Sequence, residues 1–322
     1  MTQTLDCAES LRRAIRPTTF VHSRTLSDLV GARVVIASET FQHTGSFKFR
    51  AAYNVAQQTE APHLIAASSG NFGQALACAC QLLSKRCTIV MPSTSAKVKV
   101  DAVRRYGGNV EIVDTALISR AERVKQLAFE HADAQVVSAY DDQWVIDGNA
   151  SLGEELIKSG EDFDAIVVPI GGGGLASGII RALQRHGNGT LVYGAEPKMA
   201  NDAARSLQAG EIVRNESEPQ SIADGARTLS VGLNNWPILQ AGLSGIVEVE
   251  EEMIEEAVRT LFVTANLKVE PTGALALGAL LSQAQLFAKK KVCCVVSGGN
   301  VDAAVYCRIL SGDSLMRTSS GV

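Results

Sequence analysis

The chain has 322 residues, 46% of them hydrophobic and 20% charged, with a formal net charge of −4 and a pI near 5.8. That length is enough to bury a large core in roughly two domains, and the composition excludes collagen, coiled coil and disorder as descriptions of the whole. Lys and Arg are scattered instead of massed in a basic stripe, so nucleic acid is not expected as a partner; no apolar run approaches the ~18 residues that span a bilayer, so a membrane is not expected either.

The first residues, MTQTLDCAESLRRAIR, carry charges where a secretory leader has its apolar stretch, and a cytoplasmic protein is expected. Short β-branched runs then recur at 34–37, 64–67, 88–91, 110–113, 165–170, 191–195 and 292–296. Amphipathic stretches with helical spacing separate them, among them 73–83, 95–106, 117–131 and 251–264. Alternation of this kind predicts parallel strands joined by crossover helices, and runs that are apolar throughout predict strands covered on both faces. The fold class is α/β. The polar stretches QQTEAPH near residue 55 and YDDQW near residue 142 are the candidate boundaries of a two-lobed molecule. A small α/β domain, 55–142, would be inserted into a larger parallel-sheet domain made of 1–54 and 143–322, with a cleft between them.

Thr44-Gly45-Ser46-Phe47-Lys48-Phe49-Arg50 sets one lysine among small and aromatic neighbours. An ammonium there is poorly solvated, its pKa falls, and a neutral amine is the nucleophile that condenses with an aldehyde; a solvated lysine at a helix start is the plain alternative. Ser68-Ser69-Gly70-Asn71 lies between a strand and a helix and offers N–H and hydroxyl donors suited to a carboxylate, or an ordinary helix cap. Gly171-Gly172-Gly173-Gly174 follows the run AIVVPI and precedes LASGIIRAL. Successive N–H groups at a helix start favour a phosphate dianion, whereas a tight turn alone seldom needs four glycines. Gly171, Gly173 and Ala176 also fit the dinucleotide pattern GxGxxA with Glu196 ending the next strand, which keeps an NAD-dependent oxidoreductase open at this point. Ser297-Gly298-Gly299-Asn300 ends the last strand. Seven cysteines without a CxxC pair read as reduced buried thiols, and five dispersed histidines without HExxH give no reason to expect catalytic zinc.

The four motifs together, GSFKxR, SSGN, GGGGLxSG and SGGN in that order, resemble the serine racemase and threonine dehydratase family, the fold-type II, tryptophan-synthase-β-like pyridoxal-phosphate enzymes. ADGARTLSVGLNNWPI (223–238) and VEPTGA (269–274) match further segments, so the resemblance covers essentially the whole chain and displaces the dinucleotide reading. It implies that Lys48 carries pyridoxal phosphate as a Schiff base and removes the Cα proton, with Phe47 beside the ring. It implies that Asn71 bonds the ring hydroxyl, that Gly171, Gly172, Gly173, Gly174 and Leu175 hold the phosphate, and that Ser297 meets the pyridine nitrogen. A hydroxyl at that nitrogen makes the ring a weaker electron sink than a carboxylate would, which favours expelling a β-hydroxyl over storing a carbanion.

The expected activity is therefore dehydration of a β-hydroxy amino acid such as serine, threonine, 3-hydroxyaspartate or phenylserine, giving a 2-oxo acid and ammonia. Racemisation of serine is the alternative, with Ser69 as the second acid/base. Ser68, Ser69, Asn71 and Phe72 are the implied substrate contacts. Phe72 stands where the family has His, and Ala51 where it has Gly, which bears on the β-substituent accepted. Glu196, Ala200 and Asp202 match a divalent-metal pattern for Mg2+ or Ca2+, whose hard oxygen ligands these are. A homodimer is implied too.

Overall fold

The computed structural model describes residues 7–312 apart from 69 and 96. Ten strands form two sheets: β1 (Thr19–His22), β2 (Arg33–Ser38), β3 (His63–Ala67), β4 (Arg86–Pro92), β5 (Asn109–Val113), β6 (Ala134–Val136), β7 (Ala165–Pro169), β8 (Leu191–Pro197), β9 (Leu243–Val249) and β10 (Lys291–Val296). The larger sheet has the order β1-β2-β10-β7-β8-β9 and the smaller β5-β4-β3-β6. Every pairing is parallel except that of β1 with β2, which is antiparallel and closes one edge.

Each of the seven runs expected as strands falls in one, except that Ile170 lies one residue past the end of β7. The strand β1 and the short β6 carry too little apolar sequence to stand out, and β9 (LSGIVEV) opens on polar and small residues.

Burial explains why the central strands read as continuous apolar runs. All five residues of β7 are buried. Ala165 and Val167 belong to a core that includes Leu275, Ala276 and Leu277 of the helix Pro271–Ser282. Ile166, Val168 and Ile170 belong to the opposite core, with Leu152, Leu175 and Ile179 from the helices Gln143–Lys158 and Gly174–Arg185. Successive side chains of a strand point to opposite faces, so with helices on both faces no position is left polar. Each fully buried Val or Ile contributes about 1.5–3 kcal/mol relative to exposure.

The smaller sheet draws all four strands from residues 63–136. Its core is not confined to that segment: Leu11, Ile15, Phe49 and Val55 share an apolar cluster with Leu64, Ala66 and Leu76. The helix Lys48–Gln58 runs without a break through residue 55.

One buried ion-pair network fixes that helix. Arg50, wholly buried, donates to Glu39 Oε2 at 2.7 Å and Oε1 at 2.9 Å, to Glu155 Oε1 at 2.9 Å and Oε2 at 3.0 Å, and to Thr18 and Ser151 hydroxyls. A guanidinium out of water is tolerated only when its donors are used in this way. Two residues earlier in the same helix is Lys48. Among the described residues no helix is long and apolar enough to cross a membrane.

Candidate active site

Open parallel sheets present their ligand-binding loops at the carboxyl ends of the strands, and the motifs singled out above gather there. The glycine run follows β7, and the Ser297–Asn300 turn follows β10, its hydrogen-bonded neighbour. The loop that delivers Lys48 is stapled to the second of these turns. Phe47 N–H donates to Ser297 O at 2.9 Å, Gly299 N–H donates to Gly45 O at 2.9 Å, and Ser46 pairs with Gly298 as an isolated bridge.

Lys48 opens its helix with Nζ directed at the Ala139 carbonyl, 2.9 Å away. The amine lies 4.9 Å from the centroid of the Phe47 ring and 6.0 Å from that of Phe72. Burial among these groups lowers its pKa to about 8, opposed in part by the nearby Glu270 carboxyl. A lysine so placed is a nucleophile over a pH range in which a solvated one is protonated.

The glycine loop lies against the residue next to Ala139. A Cβ on Gly172 would fall inside the Tyr140 ring, and one on Gly173 (φ +92°) would stand 2.6 Å from Leu239. The Gly172 carbonyl accepts from Gly232 N–H at 3.0 Å and from Asn235 Nδ2 at 2.9 Å; the same Asn235 amide donates to Tyr140 O at 2.9 Å. Thus the carbonyls of Gly172 and, through Ser177 N–H, of Gly173 are satisfied. Among the described residues none accepts from the N–H of Gly171, Gly172, Gly173, Gly174 or Leu175, although all but Gly171 are buried. Unpaired buried donors at the start of a helix call for an anion, so the loop fits the phosphate of pyridoxal phosphate.

Asn71 begins the helix Asn71–Leu82 after β3. Its Nδ2 donates to Glu270 Oε1 at 2.7 Å, and its Oδ1 accepts from Asn300 Nδ2 at 2.8 Å. Ser68 Oγ accepts from Gly70 N–H at 3.3 Å and Gly73 N–H at 3.1 Å, so this hydroxyl caps the helix. Ser69 lies outside the described residues. Phe72 is 2% exposed and belongs to the core of the smaller sheet, so its ring offers almost no open surface. Ser297 is buried at the end of β10. Glu270 is buried as well, which pushes its carboxyl up to about 8, with Asp224 acting in the same direction.

Sequence reasoning gave no role to Ala139, Tyr140, Asn235, Glu270 or Asn300. Asn235, Glu270 and Asn300 stand inside segments already singled out, ADGARTLSVGLNNWPI, VEPTGA and SGGN, and that is their only signal in the sequence.

Glu196 and Asp202 are both buried beside the carboxyl end of β8, with Ala200 between them. Glu196 accepts from the N–H groups of Ala203 (3.0 Å) and Ala204 (2.9 Å). Asp202 Oδ1 accepts from Asn215, while Oδ2 is buried without a partner. Burial raises Asp202 to about 7 and, with Asp202 as a second charge, raises Glu196 well above its ordinary value. Among the described residues no three His, Cys, Asp or Glu side chains are grouped to hold a metal ion. An unpaired buried carboxylate oxygen next to a second carboxylate does fit a hard cation completed by carbonyl and water oxygens.

Comparison with known proteins bears on this site. A family model described as "Pyridoxal-phosphate dependent enzyme" matches residues 11–298. The L-threo-3-hydroxyaspartate ammonia-lyase of Pseudomonas sp. is 36% identical over 312 residues, covering 96% of this chain and 97% of that protein. Serine racemase of Dictyostelium discoideum is 34% identical over 308 residues, 94% of each chain. A solved T.th. threonine deaminase superposes with a TM-score of 0.85 at 38% identity, over 92% of this chain and 98% of its own. With its lysine, glycine loop and two-sheet α/β architecture, the chain belongs to the pyridoxal-phosphate dependent enzymes, as a fold-type II member related to serine racemases and threonine dehydratases.

Proposed function

We propose that the chain removes water from a β-hydroxy amino acid and releases a 2-oxo acid and ammonia, with pyridoxal phosphate held by Lys48. One observation carries the reading: an amine whose pKa burial lowers to about 8 reaches the Ala139 carbonyl, and the next residue, Tyr140, packs against a run of buried, unpaired N–H groups. The ammonia-lyase and deaminase relatives support it. When bound, the cofactor draws electron density from the Cα of an amino acid joined to it.

The chain's residues do the rest. Lys48 holds the cofactor and then, as a free amine, takes the Cα proton. Gly171, Gly172, Gly173, Gly174 and Leu175 grip the phosphate through N–H groups, Phe47 flanks the ring, and Asn71 bonds its hydroxyl. Ser297 would offer the pyridine nitrogen a hydroxyl instead of a carboxylate and so would not hold it protonated, a setting that favours elimination over a stored negative charge. Ser68, Ser69, Asn71 and Phe72 form the substrate carboxylate nest, Phe72 through its backbone N–H.

Glu196, the Ala200 carbonyl and Asp202 hold Mg2+ or Ca2+. A chelator is expected to lower the melting temperature and either ion to restore it, while Asp202→Asn should melt at one temperature with or without added metal. The same reading takes 55–142 as a small lobe inserted into 1–54 plus 143–322, and the protein as a cytoplasmic homodimer. The separate smaller sheet supports the first of these and family resemblance the dimer.

Borohydride reduction followed by peptide mapping tests the central claim: the pyridoxyl group should be found on the peptide containing Lys48. Lys48→Ala should lose both the visible absorption and turnover, and a variant retaining either would exclude the assignment. A screen of β-hydroxy amino acids in both stereochemical series, scoring 2-oxo acid and chirality together, identifies the substrate. The relative's name favours 3-hydroxyaspartate; phenylserine, which Phe72 suggests in the sequence, finds little open ring surface there and is dropped if it turns over no faster than serine or threonine. Serine racemase among the relatives keeps racemisation as the second reading; D-serine forming from L-serine faster than 2-oxo acid would establish it.

A further inference from the structure

We infer that Asn300 and Glu270 are positioning residues that lock the side-chain amide of Asn71 in one orientation, with its NH2 group turned towards the cleft as a donor. The inference rests on the reading of Asn71 as a cofactor contact and adds to it the two residues that decide what that contact can be.

An asparagine amide has two ends of nearly equal shape and opposite hydrogen-bonding sense, so only its partners choose between them. Asn71 has partners on both ends, with Gln74 Nε2, 3.4 Å from Oδ1, a second and longer donor on the oxygen side. Its Oδ1 accepts from Asn300 Nδ2 at 2.8 Å, and its Nδ2 gives one hydrogen to Glu270 Oε1 at 2.7 Å. The three residues come from three segments, with Asn300 229 positions and Glu270 199 positions from Asn71.

Asn300 is itself fixed by the backbone. The same Nδ2 donates to the Thr44 carbonyl at 2.7 Å, so both its hydrogens are used. Rotating the Asn300 amide by half a turn would set its oxygen against two other oxygens. Gly45 makes room for this contact: its φ is +73°, and a Cβ there would stand 2.5 Å from Asn300 Oδ1. Gly298 makes room for Glu270 in the same way, since a Cβ there would stand 2.5 Å from Glu270 Oε1.

Orientation therefore passes from the Thr44 carbonyl to Asn300, and from Asn300 to Asn71. With Oδ1 occupied and one Nδ2 hydrogen spent on Glu270, the group Asn71 has left to offer is its second N–H. A ring oxygen beside it is met by a donor. Thr44 and Gly45 precede Lys48 by only a few residues, so one short loop sets both the amine and, through Asn300, the amide.

Asn300→Asp tests this, because the shape is kept while the donor becomes an acceptor facing Thr44 O and Asn71 Oδ1. Expected in the purified holoenzyme are a shifted visible absorption band and pyridoxal-phosphate binding weakened about tenfold, the size of one hydrogen bond to a charged group. Glu270→Gln, which can still accept from Asn71, should keep the wild-type spectrum, and Glu270→Ala should not. Should Asn300→Asp fold poorly by circular dichroism, Asn300→Ala is read by the same two measurements. Melting temperatures of Asn71→Ala, Asn300→Ala and the double variant give a readout independent of the cofactor: coupled sites are non-additive. Wild-type spectra and binding in the Asn300 variants, or strict additivity in the cycle, would overturn the inference. Failure to label Lys48 with borohydride would instead sink the proposed function and leave the cycle to decide here.

Discussion

The turns that follow β7 and β10 are neighbours at the carboxyl end of the two central strands of one sheet, yet they are built in opposite ways. After β7 the glycines 171–174 are pressed against Tyr140, Leu239 and the 225–226 backbone, and what the turn offers is main chain. After β10 the space over Gly298 is filled by the Glu270 carboxyl, and what surrounds the turn is a chain of side-chain amides and acids. The first turn supplies fixed dipoles that suit any small dianion. The second supplies groups whose sense can be reversed by a single atom, which is how a site tells one ring substituent from another.

The largest expected effect removes the support of the lysine helix, which also reaches the end of β10. Arg50→Met leaves Glu39 buried without its partner, and Glu39 N–H in turn bonds Val296 O at the end of β10. Denaturant unfolding should report a loss of about 3–5 kcal/mol, the cost of breaking a buried pair from one side. A loss below about 1 kcal/mol, the range of surface pairs, would mean that the network does not anchor the lysine helix.

Next come the turns themselves. Gly172→Ala should weaken pyridoxal-phosphate and inorganic-phosphate binding alike, since the added methyl must displace Tyr140 and with it the loop. Gly298→Ala should leave phosphate affinity close to wild type while disturbing the cofactor's absorption. Competition titrations with inorganic phosphate separate the two, and equal loss in both variants would erase the contrast drawn between them.

The smallest effect is one of pH. In the cofactor-free chain the Lys48 amine is lowered to about 8 by burial, so the rate of covalent capture of pyridoxal phosphate should climb with pH and level off near 8. Below that value the amine is protonated and cannot attack. An unperturbed lysine would keep gaining until about 10.4, and such a profile would show that burial does not tune this amine.

The contrast between the turns also explains what could be read from the sequence. Strand β7 throughout and β10 after Lys291 are apolar because helices cover both faces, and such runs announce themselves. By comparison β1, half exposed on an edge, and β6, three residues long, have little apolar sequence to give them away. Gly171 to Gly174 are visible as letters, since main-chain donors need no partner elsewhere to be recognised. Ser68 shows the limit of a motif: its hydroxyl is open to reading as ligand donor or cap, and in the fold its oxygen accepts from Gly70 and Gly73 N–H while its hydrogen is left to donate. Glu270 and Asn300 acquire meaning only when the fold carries them to Asn71 from 199 and 229 residues away, and no local pattern encodes that meeting.

The bridge between Ser46 and Gly298 joins an early segment to a late one, and it carries the lysine's own loop. During synthesis the ribosome finishes the helix Lys48–Gln58 long before β10 exists to seat it. Capture of the vitamin-derived group in its final geometry is then a late event, following release of nearly the whole chain, so that a truncated or stalled product would expose the amine without the partner strand that aims it.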